Sequence, residues 1–270
     1  RESKMVEITR ENLTQFNNEG FFLAKGLLDS ENDLGPIKAE YKEVLDKAVL
    51  DLQTRGIIEN NHMELPFEKR ISQVLEESDG ELNKYLDITL PQKDINSQTP
   101  MHCGPAVFNL IRNSKLLDAV EQFIGSEIYS NPTQHVRIKP PAHYLAGTTR
   151  VLSEIDTTVW HQDAGTGTSD ADDTNTLTVW ISVTEASKEN GCLMVAPKSH
   201  RKGLALHCHD KRANFSRQAI PERLIGEDRE PIETNPGDVI FLSKYTMHSS
   251  LPNLSENIRW SLDLRYNPIG

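Results

Sequence analysis

Two textures of hydrophobic spacing divide this chain near Gly125. Before it, apolar residues recur at helical intervals. The longest such run is Asn32 to Gly56, with Ile37, Tyr41, Val44, Leu45, Ala48, Val49 and Leu52 on one stripe. Phe67 to Leu86 and Pro105 to Gly125 repeat the pattern. Thr9-Arg10-Glu11-Asn12 reads as a capped helix start, and Gly20 as its close. These stripes suit packing surfaces rather than cofactor boxes. After Gly125 the pattern becomes strict alternation interrupted by Gly, Pro and Asn, the mark of an all-β unit. The expectation is a single domain over residues 1–270, mostly helical over 1–125 and β over 126–270, with no internal repeat and no low-complexity linker.

Three alternating segments have a polar and an apolar face. Thr176, Thr178, Trp180 and Ser182 share one side of the run Thr176 to Val183, opposite the aliphatics. Trp180 there is either a cavity wall, offering a ring and a donor, or a core side chain. Thr133, His135, Arg137 and Lys139 share one side of Pro132 to Pro140, opposite Gln134, Val136 and Ile138. That face either lines a cavity and draws an anion, or faces solvent. In the last segment Arg259, Ser261, Asp263 and Arg265 alternate with Trp260, Leu262, Leu264 and Tyr266.

Composition and charge narrow the class. A chain of 270 residues with 37% apolar content can bury a sizeable core. A formal charge of −11 argues against nucleic-acid binding, which needs cations to neutralise phosphates. No apolar run reaches the roughly 20 residues that span a bilayer, so a membrane span is not expected. Arg1-Glu2-Ser3-Lys4 has no signal-peptide core, and the three cysteines (Cys103, Cys192, Cys208) form no C-x-x-C pair. Free thiols in a reducing, cytoplasmic compartment are expected. No feature of the pattern fixes an oligomeric state. The basic stretch Lys198 to Arg223 reads as a solvated loop or, alternatively, as a lid over an anionic substrate.

The candidate chemistry begins at Trp160-His161-Gln162-Asp163. On an extended segment His161 and Asp163 project to the same side. His248 lies 87 positions beyond His161 (248 − 161), so the fold must bring in its strand. Arg259 follows 11 positions later (259 − 248), room for a turn through Leu251-Pro252-Asn253 and a return strand beside the first. Two imidazoles and a carboxylate form the facial ligand set of non-haem Fe(II), with the opposite face open for a co-substrate and dioxygen. Arg259 and Ser261 on one face can hold a carboxylate. A His-x-Asp pair alone is weak; its specificity comes from the Gly/Thr/Ser/Asp-rich loop after it (Ala164 to Asn175), the strand, and the later His and Arg. A rival zinc cluster, His207-Cys208-His209-Asp210 with His200, lacks a second ligand knuckle and reads as a loop with incidental histidines.

The order of these parts resembles the phytanoyl-CoA dioxygenase family of Fe(II)/2-oxoglutarate-dependent oxygenases. The likeness runs from Glu127 to Tyr266. It includes Gly191-Cys192-Leu193-Met194-Val195-Ala196-Pro197-Lys198-Ser199-His200 and Pro236-Gly237-Asp238-Val239-Ile240-Phe241, with a weaker echo at Phe16 to Phe21. It implies an α+β chain with a mainly β core, a double-stranded β-helix (cupin-like jelly roll), and N-terminal helices packed around it. By the resemblance His161, Asp163 and His248 would hold Fe(II), and Arg259 with Ser261 or Ser250 would hold 2-oxoglutarate. Trp180 would lie near that co-substrate, with Gln134, Arg137 and Lys139 as rival polar contacts from one strand. His135, Arg137 and Thr178 are candidate substrate contacts. The implied activity is O2-dependent hydroxylation of an aliphatic carbon of a small, anionic molecule, with 2-oxoglutarate converted to succinate and CO2. Asp163 stands where halogenating relatives carry a small residue, which favours hydroxylation. The alternative is a β module that holds a metal or anion without turnover; zinc hydrolysis is disfavoured because no general base adjoins the ligands.

Overall fold

The computed structural model describes residues 7–90, 95–146, 157–165, 174–209 and 218–269. The N-terminal helices follow the apolar stripes, with breaks where the chain cannot stay helical. Helix α1 (Arg10–Glu19) starts at Thr9, whose side chain and backbone exchange hydrogen bonds with Asn12. It ends at Gly20 in the left-handed region, φ 87°. Helix α2 (Gly35–Thr54) buries the seven residues of the long stripe. The third run divides into α3 (Phe67–Glu77) and α4 (Asn83–Leu86), because Asp79 and Gly80 both take positive φ. The fourth divides into α5 (Pro105–Ile111) and α6 (Ser114–Ile124), where the Asn113 side chain accepts from the Leu116 amide and caps a new helix.

The strands are β1 (Phe21–Ala24), β2 (Ile128–Ser130), β3 (His135–Lys139), β4 (Leu177–Ser182), β5 (Leu193–Val195) and β6 (Cys208–His209). They continue as β7 (Gln218–Ala219), β8 (Glu230–Ile232), β9 (Val239–Ser243), β10 (His248–Ser250) and β11 (Arg259–Pro268). A six-stranded sheet runs β1-β9-β4-β11-β2, with β3 also on β11. A three-stranded sheet runs β10-β5-β8, and β6 pairs with β7. All these pairings are antiparallel. Strand β1 comes from the mostly helical part of the chain yet forms the edge of the large sheet.

Alternation along β4 and β11 sorts the two faces of that sheet. Leu177, Val179 and Ile181 join Trp260, Leu262, Leu264 and Tyr266 in one core with α2, α3 and α6. On the other face Phe21, Trp180, Ile240 and Leu242 meet Leu193, Val195 and Ile232 of the small sheet. The two sheets therefore close over the polar side of β11. The sequence-based return strand is corrected here: β11 does not lie beside β10. It crosses to the large sheet, since its apolar face must cover the helices, while β10 pairs with β5. Among the described residues no helix is long and apolar enough to cross a membrane, and all three cysteines are free thiols.

Gly20 joins α1 to the end of β9 and the turn that leads into His248. Its carbonyl accepts from the Thr246 hydroxyl at 2.5 Å and from the Ser243 amide at 2.9 Å. A Cβ there would stand 2.4 Å from His200 Nδ1 and 2.5 Å from Thr246 Oγ1. The left-handed conformation alone costs a side chain about 1–2 kcal/mol, and the displaced contacts add to it. Gly20→Ala is expected to lower unfolding stability by about 2 kcal/mol on that basis. An unchanged urea midpoint would show that this junction yields freely.

Candidate metal centre

Two backbone hydrogen bonds bring the histidines together. The His161 amide donates to the His248 carbonyl and the His248 amide to the His161 carbonyl, both at 3.0 Å. The ring centroids consequently sit 4.2 Å apart. Each Nδ1 lies 2.9 Å from the carbonyl two residues upstream, Val159 for His161 and Thr246 for His248. A carbonyl can only accept, so each Nδ1 carries the proton and each Nε2 keeps its lone pair. Asp163 opens a short 3-10 turn rather than continuing a strand, correcting the extended reading of this motif. Its carboxylate still reaches within 3.9 Å of His161 Nε2. One ligand atom from each of His161, Asp163 and His248 lies within 4.8 Å of the others.

Charge prepares this cluster. Burial would raise the Asp163 pKa, but the neighbouring Arg265 guanidinium outweighs it and holds it well below the usual carboxylate range. Arg265 Nη2 donates to Asp163 Oδ1 at 2.8 Å, and the Thr178 hydroxyl donates to Oδ2. His161 keeps 14% of its side chain exposed, yet burial and the neighbouring His248 lower its pKa to about 3. A carboxylate and two imidazoles whose Nδ1 atoms are committed to carbonyls, leaving Nε2 toward the cluster, are the donor types a divalent metal requires. Gln162, between the two candidate ligands, points away. Its amide nitrogen donates to the Gly203 and Tyr245 carbonyls, its oxygen accepts from the Ala205 amide, and its own backbone N–H donates to His207 Nε2 at 3.0 Å. His207 thus supports the loop as an acceptor, and His200 Nε2 contacts the Asn17 carbonyl; neither joins a metal cluster among the described residues.

The polar face of β11 supplies the rest. Arg259 is 2% exposed. Its Nε donates to the Gly191 carbonyl at 3.2 Å and Nη1 to Ser261 Oγ at 2.6 Å, with Cζ 5.7 Å from the Trp180 ring centroid. Burial lowers its pKa to about 10, leaving it charged at neutral pH, and no carboxylate pairs with it among the described residues. Beside it, Lys139 donates to Ser250 Oγ at 2.8 Å and to the Leu251 carbonyl at 2.6 Å. Arg137, Trp180, Arg259 and both histidines line one small pocket. A wider cavity lined by Trp160, Met194, Ile220 and Leu251 shares Thr158, Ser249 and Ser250 with it.

Three expected contacts fall elsewhere. The Gln134 amide is spent on the Arg265 backbone, donating to its carbonyl and accepting from its N–H, both at 3.0 Å. It braces β3 on β11 because its side chain lies opposite the polar face. His135 pairs with Asp87 at 2.9 Å, outside the pocket lining. Thr178 faces the interior, where its hydroxyl donates to Asp163 Oδ2. The basic stretch gives Lys198 to Glu19, at 3.6 Å, and Arg201 to Asn18, at 3.0 Å; Lys211, Arg212 and Arg217 lie outside the described residues, as does most of the loop from Ala164 to Asn175. Arg265 and Gln162 went unassigned in the sequence reading. Arg265 was visible there only as another cation on the Arg259 face.

The family model for phytanoyl-CoA dioxygenase (PhyH) matches residues 16–261, most of the chain. The chain belongs to the phytanoyl-CoA dioxygenase family. Similar members include the methylphosphonate hydroxylase of Gimesia maris, 39% identical over 95 residues, covering 35% of this chain and 34% of that protein. Another is the 1-deoxypentalenic acid 11-beta-hydroxylase of Streptomyces arenae, 26% identical over 191 residues, covering 67% of this chain and 64% of that one. The chain thus spans about a third to about two thirds of the length of these curated relatives. Its fold is similar to that of EvdO2 from Micromonospora carbonacea var. aurantiaca complexed with 2-oxoglutarate. There the TM-score is 0.58 at 16% identity, covering 97% of this chain and 91% of that one.

The pKa shifts have a consequence for the metal-free protein. His161 stays neutral in the fold down to about pH 3, whereas in the unfolded chain it protonates near 6.5. Its contribution to stability is therefore full above 6.5 and is lost as pH falls from there toward 3. Acid titration of the denaturation midpoint should show this loss, and His161→Gln should flatten it. Equal slopes in both proteins would mean that His161 is not held neutral.

Proposed function

We propose that this member of the family is an Fe(II)/2-oxoglutarate-dependent dioxygenase, one domain over residues 1–270 with a double-stranded β-helix core. Its reaction is the hydroxylation of an aliphatic carbon in a small anionic molecule. The observation that carries this reading is the buried Arg259 guanidinium, without a carboxylate partner among the described residues, in the pocket that holds the two histidines. A buried cation is costly unless an anion joins it, and a dicarboxylate co-substrate would supply that anion. Fe(II) with bound 2-oxoglutarate supplies dioxygen activation, with succinate and CO2 as co-products. His161, Asp163 and His248 would hold the metal, and Arg259 with Ser261 the far carboxylate of the co-substrate. Lys139 and Ser250 stand beside that end, and Trp180 forms a wall under the guanidinium. The protein's part is to orient these groups and exclude water.

The substrate class is supported by two features. Arg137 lines the inner pocket beside Asp263, to which its Nε donates at 2.8 Å. Relatives include the methylphosphonate hydroxylase of Gimesia maris and a 2-aminoethylphosphonate dioxygenase, 29% identical over 112 residues. The wider cavity, with Trp160 and Met194, offers room for an apolar portion.

Anaerobic addition of Fe(II) and 2-oxoglutarate should give the weak visible charge-transfer band of the chelate. Arg259→Ala should raise the 2-oxoglutarate concentration required by roughly 100-fold, as loss of a buried charge-assisted pair worth about 3 kcal/mol implies. His248→Ala should abolish the band. A folded protein that binds neither group would overturn the reading and favour a module that binds without turnover. Once the band is found, succinate release with short phosphonates and carboxylates tests the substrate class.

A further inference from the structure

Arg265 is engaged at every level of the structure around it. The β11–β4 register sets Arg265 directly across from Thr178, and the two side chains converge on the same carboxylate. Arg265 Nη2 takes Asp163 Oδ1 at 2.8 Å and Thr178 takes Oδ2, so each oxygen already accepts one hydrogen bond. The other arm of the guanidinium, Nη1, donates to the Thr133 carbonyl at 3.2 Å. The Arg265 backbone is clamped by Gln134 on both its N–H and its carbonyl. Only 11% of the arginine side chain and 3% of the aspartate is exposed.

We infer that Arg265, assisted by Thr178, is a positioning residue that fixes the rotamer of Asp163 and so sets the affinity and geometry of the metal site. The inference rests on the metal-site reading above. Asp163 sits on a one-turn helix at the edge of a loop, where a free carboxylate would sample several rotamers. The ion pair removes that freedom before metal arrives. It also commits one acceptor site on Oδ1, as Thr178 does on Oδ2, so each oxygen would offer a metal only its remaining lone pairs. Outer partners of this kind typically change metal affinity by about 10–100-fold.

Cobalt(II) titration of the metal-free protein tests this directly, because its visible ligand-field bands report coordination geometry without turnover. Arg265→Gln should weaken Co(II) binding by about 10–100-fold and alter the band pattern while the far-UV circular dichroism stays that of the unaltered protein. Arg265→Lys, which keeps the charge but loses the fork, should recover part of the affinity. Thr178→Val should give a smaller loss of the same kind, and it carries the test if Arg265→Gln does not fold. Unchanged or tighter Co(II) binding in Arg265→Gln, or an unchanged spectrum in Thr178→Val, overturns the inference alone. Absence of Co(II) binding by the unaltered protein overturns the metal-site reading with it.

Discussion

The site depends on one reciprocal pair of backbone hydrogen bonds, between His161 and His248. The same two segments are held on either side of it by the Ser250 amide on the Thr158 carbonyl at 3.2 Å, the Thr158 amide on Ser250 Oγ at 3.0 Å and the Ala164 amide on the Lys244 carbonyl at 3.1 Å. His161 lies on a connection between elements and forms an isolated bridge, whereas His248 begins a strand of the small sheet. The pair sets the two rings side by side, and the carbonyls of Val159 and Thr246 then fix both tautomers. Around it, Gln162 ties the loop between the ligands to Gly203, Ala205 and Tyr245. The Thr246 hydroxyl ties the turn that leads into the second histidine to the end of the first helix. Side-chain chemistry here is a by-product of backbone pairing.

Electrostatics follow from a single strand. Arg259, Asp263 and Arg265 share the polar face of β11, and Arg137 and Lys139 face them from β3. Two carboxylates, Asp163 and Asp263, meet arginines at 2.8 Å. Arg259 has no such partner among the described residues. That imbalance, in a pocket closed between two sheets, is the physical basis for expecting an anionic occupant.

Much of this was legible in the chain, and the failures have identifiable causes. Helix α2 appeared with each of its seven buried residues in place, because a long stripe over five turns outweighs local detail. The other helical runs were read as continuous, since the breaks at Asp79-Gly80 and Asn113 depend on a turn and a cap rather than on hydrophobic spacing. The faces of β4 and β11 followed their alternation. Sheet membership did not, because spacing says which side of a strand is buried but not which neighbour pairs with it. For the same reason Thr178 and His135 were placed correctly on polar faces, yet their partners, Asp163 and Asp87, come from distant segments. The His161-x-Asp163 spacing survived although its extended conformation did not, as a tight turn also carries the carboxylate to the histidine side.

The strict alternation of β11 has a consequence for how this sequence can change. Its ten residues act as one ruler, with Trp260, Leu262, Leu264 and Tyr266 measured against the helices, Arg259 against the pocket and Arg265 against Asp163. Substitutions along it exchange one side chain at a time. An inserted or deleted residue would turn every later side chain to the opposite face. At the start of the strand, that would set guanidinium groups against the helical core and indole and phenol rings into the pocket. In this chain a change of length therefore leaves both faces intact in the connections on either side of the strand and scrambles them in its interior.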